Sequence, residues 1–307
     1  LEGTNTIAEV GKGIYVLANS TGGATLTITG DGSLDASASQ TGIWVQNNNG
    51  NAALFIQNAK VEATGTSTDG YGVNVQSSNS STAALTVDGG SLTASGSPGI
   101  LYDSIGTGTV PKTTALTISN SAIVDARGGG IGAGLLQDLK KVSPADDSVG
   151  IVFDNGTGTV YGDATLQENL TIGEGESLTI PDGSSLNCNE KLTNNGTILA
   201  SGGTVTGSLS GGTTITTPSI SQQPTGQTVT EGQGATFTVE ASAGSETPTY
   251  QWQQSTDSGS NWTDISDATA NSYTINSTTT SMSGNQYRCV VKSASGVSVI
   301  SQAATLT

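Results

Sequence analysis

The sequence predicts an all-β protein in which a β-solenoid is followed by a smaller all-β domain. A short phrase returns about every 30 residues through the first half of the chain. Glycine is abundant, at 43 of 307 residues, whereas the leucine, lysine and glutamate that favour helices are scarce. The repeat ends near Pro218, where a different strand pattern begins. We therefore predict two domains, residues 1–217 and 218–307.

Each repeat contains three short segments in which apolar and polar residues alternate, which is the pattern of β-strands. The first segment starts with glycine and a β-branched residue, at Gly13-Ile14, Gly42-Ile43, Gly72-Val73, Gly99-Ile100 and Gly130-Ile131. The second is Leu26-Thr27-Ile28, Leu54-Phe55-Ile56, Leu85-Thr86-Val87 and Leu116-Thr117-Ile118. The third is Leu34-Asp35-Ala36, Val61-Glu62-Ala63, Leu92-Thr93-Ala94 and Val124-Asp125-Ala126. One such unit cannot bury its apolar face alone, so the units are expected to stack as coils.

Three strands per coil resemble right-handed parallel β-helix proteins over about residues 1–215. Among these, the resemblance is to the pectin-lyase-like, carbohydrate-binding type. The stretch 135–147 interrupts the pattern and is interpreted as a looped-out insertion. After Ile151 the apolar positions come closer together, which predicts narrower coils or a flattened cap.

The segment 218–307 has the size and strand pattern of one β-sandwich. Trp252 lies on one predicted strand, and Tyr287 stands two residues before Cys289 on a later one. This arrangement resembles the immunoglobulin fold, with Val239 where that family usually places its first cysteine. The inter-sheet disulfide is then absent, and Cys188 and Cys289 are predicted to be free thiols.

The run 253–265 is similar to bacterial immunoglobulin-like modules of secreted and surface-anchored proteins. The fold class is thus all-β, a right-handed parallel β-helix with a C-terminal immunoglobulin-like β-sandwich. The resemblance implies an extracellular location, secreted or anchored to the cell wall or cell surface. It also implies that the second domain is a spacer or adhesion unit.

Charge and composition exclude several classes of function. The chain has 25 acidic and 9 basic side chains, so nucleic acid is not an expected partner. Histidine is absent, which removes Ser-His-Asp catalysis and His-ligated zinc. No apolar stretch approaches the roughly 20 residues of a membrane helix. We expect a monomeric piece of a longer protein.

The candidate ligand site lies on the outward positions that follow the Gly-Ile phrase. Equivalent residues of successive coils stack, so Tyr15, Trp44 and Asn74 are expected to be neighbours, with Tyr71 at the adjoining turn. Two aromatic rings beside an amide suit a sugar ring. The alternative is that another segment covers these rings. Phe55, an aromatic on a different strand, is interpreted as a packing contact.

An acidic column is predicted from the outward residues of the third segment, Asp35, Glu62 and Asp125. Carboxylates stacked in this way are weak candidates for binding Ca²⁺. The alternative is a solvated acidic stripe, because the glycine- and aspartate-rich repeat of calcium-binding β-rolls is missing. No other cofactor is expected.

These observations favour a non-enzymatic surface protein whose partner is a polysaccharide, a cell-surface glycan or a protein. One alternative is a polysaccharide lyase or hydrolase, because parallel β-helices include many pectin-cleaving enzymes. Arg127 would then have to be the base, but we favour the interpretation of Arg127 as a surface ion pair with Asp125. The other alternative is a passive structural stalk.

Overall fold

A computed structural model describes residues 3–19, 21–78, 80–104, 113–133, 144–210, 217–243 and 246–307. These residues form β-strands and one short 3-10 helix, Thr280–Met282. They divide into two compact units. The first comprises Leu1–Leu170, Gly175–Leu178 and Ser184–Asn187, and the second comprises Thr171–Glu174, Thr179–Gly183 and Cys188–Thr307. The domain boundary at residue 217 stays a prediction.

The first unit contains a β-solenoid of about four turns, built from three parallel sheets. The first sheet holds the early halves of β1 (Thr4–Ala18) and β3 (Ser33–Asn47), then β5 (Lys60–Gly65), β8 (Ser91–Ser95), β11 (Ala122–Ala126) and β13 (Gly150–Asp154). The second holds the later halves of β1 and β3, then β6 (Tyr71–Ser77), β9 (Ile100–Ser104) and β12 (Ile131–Ala133). The third holds β2 (Ala24–Thr29), β4 (Ala52–Gln57), β7 (Thr82–Asp88) and β10 (Thr113–Ser119).

The register confirms the predicted repeat residue by residue. The first-segment column runs through Ile14, Ile43, Val73, Ile100 and Ile131. The second-segment column runs through Leu26, Leu54, Leu85 and Leu116. These aliphatic side chains point inward and form one apolar core. The alternate residues of the same strands therefore point outward.

The glycines of the repeated phrase allow the backbones at one corner of the coil to approach each other closely. A Cβ atom on Gly42 would lie 2.4 Å from the Ala36 carbonyl oxygen. On Gly72 it would lie 2.6 Å from the Ala63 carbonyl oxygen and 2.7 Å from that of Gly99. No side chain fits at these distances, which explains why the phrase begins with glycine.

Beyond β13 the regular coil ends. β14 (Thr157–Tyr161) pairs antiparallel with β13, which the sequence does not predict. β15 (Asp163–Thr165) then pairs in parallel with β18 (Ser185–Asn187), at a separation of 22 residues. This shorter spacing agrees with the predicted narrower coils. The remaining strands are β16 (Leu170–Ile172), β17 (Ser177–Pro181), β19 (Leu192–Asn194), β20 (Thr197–Ser201) and β21 (Thr204–Thr206).

The described residues between 217 and 307, the C-terminal antiparallel region, form mainly short antiparallel strand pairs within the second unit. β25 (Thr249–Ser255) pairs with β26 (Thr263–Asp264) and β28 (Gln286–Lys292), and β28 also pairs with β29 (Val297–Ile300) and β30 (Ala304–Thr305). β22 (Ser219–Gln222) pairs with β24 (Glu240–Ser242), and β23 (Ala235–Thr238) with β27 (Ser272–Ile275).

Aromatic side chains form the core of this region. Trp252, Phe237 and Tyr287 are buried, and the rings of Phe237 and Tyr287 stack with centroids 4.7 Å apart. The indole Nε1 of Trp252 donates to the Ala270 carbonyl oxygen at 3.0 Å. Cys289 lies opposite Trp252 in the register.

Both cysteines are free and buried, as the sequence predicts. Burial raises the pKa of each thiol, Cys188 and Cys289, to about 12. They therefore stay protonated at neutral pH and pack as small apolar groups.

Candidate functional site

The predicted aromatic pair forms on the second sheet of the solenoid. Tyr15 and Trp44 are direct partners in the register of β1 and β3, and their ring centroids lie 5.3 Å apart. The Tyr15 side chain is 40% exposed, whereas Trp44 is partly buried. The rings are inclined at 56°, so they form a bent surface rather than one flat platform. The predicted juxtaposition is confirmed, and its role in binding stays a prediction.

Lys12 is a member of this site that the sequence reasoning missed. Its Nζ lies 4.0 Å from the centroid of Tyr15 and 3.8 Å from that of Trp44. An ammonium group in this position is attracted to the negative faces of both rings. The pairing of β1 with β3 shifts register between Ile7 and Lys12, so simple alternation could not place this side chain.

Amide side chains extend the aromatic pair along the sheet. The Tyr15 hydroxyl donates to Oε1 of Gln46 at 2.6 Å, and Nε2 of Gln46 donates to Oδ1 of Asn48 at 2.8 Å. Asn48 in turn donates to the Asn19 side chain. Gln46 lies two residues after Trp44 on the same side of β3, a spacing that could have identified it, and Asn48 directly follows the end of that strand. The resulting strip presents rings at one end and hydrogen-bonding amides at the other.

Asn74 continues the column but is not exposed as expected. Its side chain is 2% exposed, and its register partner Leu101, at the same outward position of the next coil, is fully buried. The Oδ1 atom of Asn74 and the Nε1 atom of Trp44 are both buried, and neither has a hydrogen-bond partner among the described residues. Two neighbouring coils thus present one unused acceptor and one unused donor. Such groups are costly to leave unpaired.

Tyr71 lies in a neighbouring column rather than beside the two rings. It is the register partner of Thr41, which is itself the partner of Lys12. Burial raises the pKa of Tyr71, and the negative charges of Asp103 and Asp69 raise it further. The phenol therefore stays neutral and can both donate and accept a hydrogen bond.

The acidic column forms in register but does not gather its carboxylates. Asp35 is the partner of Glu62, but Thr93 separates Glu62 from Asp125. Asp35 accepts a hydrogen bond from Ser37 at 2.7 Å. Nowhere in the described part of the chain do three or more Asp, Glu, His or Cys side chains cluster around a possible ion position. Calcium binding by these residues stays a prediction.

Arg127 is held in a clamp of two carboxylates and a ring. Its Nη2 lies 2.6 Å from Asp125, and its Nη1 lies 2.5 Å from Glu176. The guanidinium also sits 4.6 Å from the centroid of Phe153. The hydrogen bond to Asp125, followed by the charges of both carboxylates, raises the pKa of Arg127 despite its partial burial. The guanidinium is therefore a poor candidate for a base that must release its proton.

Comparison with known proteins gives two partial matches. Residues 205–307 match a family described as Domain of unknown function (DUF8696). A segment of 81 residues is 40% identical to Endoglucanase C of Cellulomonas fimi. That match covers 26% of this chain and 7% of the relative, so the chain spans only a small part of that protein. Among the described residues, no helix is long and apolar enough to cross a membrane.

Proposed function

We propose that this chain is a non-enzymatic, extracellular carbohydrate-binding protein, with a glycan bound on the strip formed by Tyr15, Trp44, Gln46 and Asn48. The observation that carries the proposal is the pair of rings in register beside a chain of amides. Aromatic faces contact the CH groups of a sugar, and amides pair with its hydroxyls. The solenoid is proposed to be of the right-handed, pectin-lyase-like type.

The unused donor and acceptor of Trp44 and Asn74 favour a hydroxylated ligand. A hydroxyl group can accept from the indole N–H and donate to the amide oxygen at the same time. A carboxylate could satisfy only the donor, and an ammonium group only the acceptor. Both atoms are buried, so a ligand that used them would have to displace part of what covers the Trp44 edge.

Lys12 determines whether this strip favours a neutral or an acidic sugar. Its ammonium lies close to both rings, so a neutral sugar that stacks there competes with it. An acidic sugar would instead pair with the ammonium at the rim. Removing Lys12 therefore distinguishes the two ligand types by the sign of the change in affinity.

For the C-terminal antiparallel region, we propose an immunoglobulin-like module that acts as a spacer or adhesion unit. The buried Trp252 opposite Cys289 supports this assignment. The match to Endoglucanase C supports a relation to a carbohydrate-active protein rather than catalysis by this chain, because it spans 7% of that enzyme. The clamped state of Arg127 further disfavours the lyase alternative.

The test is binding to immobilised plant, host and microbial polysaccharides, with and without Ca²⁺. Retention on at least one polymer is expected, with about tenfold weaker binding by Trp44→Ala. Because the Tyr15 side chain is 40% exposed, Tyr15→Thr is expected to leave the fold intact. It therefore tests the strip independently of any folding defect in Trp44→Ala. Trp262→Ala, a change in the second unit, serves as the matched control and is expected to bind as the parent does.

Incorporation of 5-fluorotryptophan locates the binding. The chain has three tryptophans, so the spectrum contains three signals, which single substitutions assign. Addition of a retained oligosaccharide is expected to shift the Trp44 signal and leave those of Trp252 and Trp262 in place. Retention of no polymer, or retention that both Trp44→Ala and Tyr15→Thr leave intact, would overturn the proposal. Dependence on Ca²⁺ that Glu62→Gln removes would instead support the acidic column.

A further inference from the structure

A second exposed aromatic lies on a different sheet of the solenoid, away from the Tyr15 and Trp44 strip. Phe55, at the centre of β4, is 39% exposed. It borders a surface concavity of about 450 Å³ that is also lined by Thr27, Ile56, Gln57, Thr86, Asp88 and Ser119. The volume falls within the range of roughly 300–1,000 Å³ that small-molecule sites occupy. More than a third of the Phe55 side chain is therefore open to solvent, and its interpretation as a packing contact stays a prediction.

Strand register explains the shape of this concavity. Phe55 has Thr27 and Thr86 as its partners on the two neighbouring coils, so a large ring stands between two short side chains. Two residues further along each strand, Gln57 is the partner of Asp88, and Asp88 is the partner of Ser119. These two outward columns lie side by side. The ring thus forms a wall, with a row of polar groups beside it.

Asp88 is the organised polar group of this row. Its Oδ1 accepts hydrogen bonds from Ser119 Oγ and Asn120 Nδ2, both at 2.6 Å, and its Oδ2 accepts from Gln57 Nε2 at 3.2 Å. These contacts, that from Ser119 first, lower the pKa of the Asp88 carboxyl although partial burial opposes the shift. An ionised carboxylate offers about four acceptor positions. Donors on the two neighbouring coils thus fix Asp88 in place and leave capacity at Oδ2.

We propose that this concavity, which we term the Phe55 site, binds a neutral pyranose unit of a polysaccharide. One face of the sugar packs against the Phe55 ring, and a sugar hydroxyl donates to Oδ2 of Asp88. The hydroxyls of Thr86 and Ser119 lie within the same lining and can pair with further hydroxyls. This site belongs to the third sheet and does not depend on the function proposed for Tyr15 and Trp44.

Charge decides which class of sugar fits. Asp88 carries a negative charge and the chain as a whole has a formal net charge of -16. No cationic side chain is among the residues that line the concavity. An acidic sugar would be repelled at this site, whereas a neutral one meets an acceptor and an apolar face. The Phe55 site thus differs from the Lys12-bearing strip in the ligand charge that it tolerates.

The test uses 4-fluorophenylalanine, because the chain has three phenylalanines and only Phe55 is exposed. The full chain is titrated with cellohexaose and mannohexaose as neutral probes and with hexagalacturonate as the acidic probe. Phe153 and Phe237 are fully buried and provide internal reference signals. A saturable shift of the Phe55 signal is expected with at least one neutral probe, and no shift with the acidic one.

The decisive variant is Phe55→Thr, which gives this position the residue found at Thr27 and Thr86 and so preserves the fold of the column. We expect it to weaken binding of the neutral probe at this site at least tenfold, as measured by isothermal titration calorimetry because this variant lacks the Phe55 signal. Asp88→Asn keeps the shape but weakens the acceptor, and we expect it to reduce affinity about threefold or more. Because the Trp44 strip could bind the same probe, both variants are compared in a Trp44→Ala background.

Two outcomes of the fluorine titration would overturn the proposal. One is a Phe55 signal that stays in place with both neutral probes at concentrations up to about 10 mM, the weak end of specific sugar binding. The other is a shift that hexagalacturonate produces and the neutral probes do not. Equal affinity of Phe55→Thr and its parent would also show that the ring is not part of any site.

Discussion

The solenoid and the C-terminal antiparallel region differ in how much of their interior is aromatic. In the solenoid, stacked isoleucine, leucine, valine and alanine side chains fill most of the interior alongside the buried ring of Tyr102, whereas Tyr15 and Phe55 are exposed. In the antiparallel region the large rings of Trp252, Phe237 and Tyr287 form the interior itself. The two regions therefore differ in where their aromatic residues lie, and we propose ligand contact only for the exposed rings of the solenoid.

This difference has a geometric origin. A coil of a solenoid meets an equivalent coil above and below, so the interior is a column of like positions in which medium-sized aliphatic residues repeat. A short antiparallel region has no such repetition and closes its interior with a few large side chains. An aromatic residue in the solenoid is thus an exception to its column. The two binding sites that we propose contain such exceptions, Trp44 and Phe55.

The largest expected effect is that of Trp252→Ala in the antiparallel region. The substitution removes a fully buried ring and leaves the Ala270 carbonyl without its donor, which is expected to cost about 3–5 kcal/mol. Urea unfolding followed by the fluorine signal of Phe237 measures it. Trp262→Ala is the control, because that ring is only partly buried and contacts Arg288, and its expected cost is about 1 kcal/mol. Equal costs for the two would contradict an interior that depends on Trp252.

The second effect concerns the close backbone approach in the solenoid. Gly72→Ala would place a Cβ atom within 2.7 Å of backbone atoms of Ala63, Gly99 and Ser95. Backbone atoms cannot move aside easily, so we expect a loss of about 1–3 kcal/mol. Gly11→Ala is the matched control, since its nearest neighbour is a side-chain atom 3.9 Å away. The fluorine signal of Phe153 reports the unfolding, and an unchanged midpoint for Gly72→Ala would mean that the coils adapt.

Sequence reasoning predicted the inward-facing columns of the solenoid better than the exposure of its outward side chains. Strand alternation and the repeated glycine fix which residues face inward, so columns such as that of Ile43 could be aligned from the sequence alone. Alternation predicts which side chains point outward but not whether they are exposed, and the outward residues Asn74 and Leu101 are both buried. Lys12 could not be placed because the strand register shifts just before it.

In the antiparallel region the sequence indicated Trp252 and Cys289 as interior residues, and both are buried. It did not indicate how the loop after Ser255 is organised. The carboxylate of Asp257 accepts hydrogen bonds from the Asn261 backbone N–H at 2.8 Å and from Ser255 Oγ at 2.7 Å. Such local pairing depends on the path of the loop, which no periodic pattern encodes.

The smallest expected effect is the pH dependence of the stability that Asp257 contributes in this loop. Hydrogen bonds, first from the backbone N–H of Asn261, lower the pKa of Asp257 from 3.8 to about 2. Because the folded state favours the ionised form, Asp257 contributes stability above the unfolded pKa of about 4 and loses it as the pH falls toward 2. Asp257→Asn should therefore lower the urea midpoint reported by Phe237 at pH 6, and the difference from the parent should shrink at pH 2. The Phe153 signal serves as the internal control. A constant difference across this pH range would mean that the loop depends on the shape of the Asp257 side chain rather than on its charge.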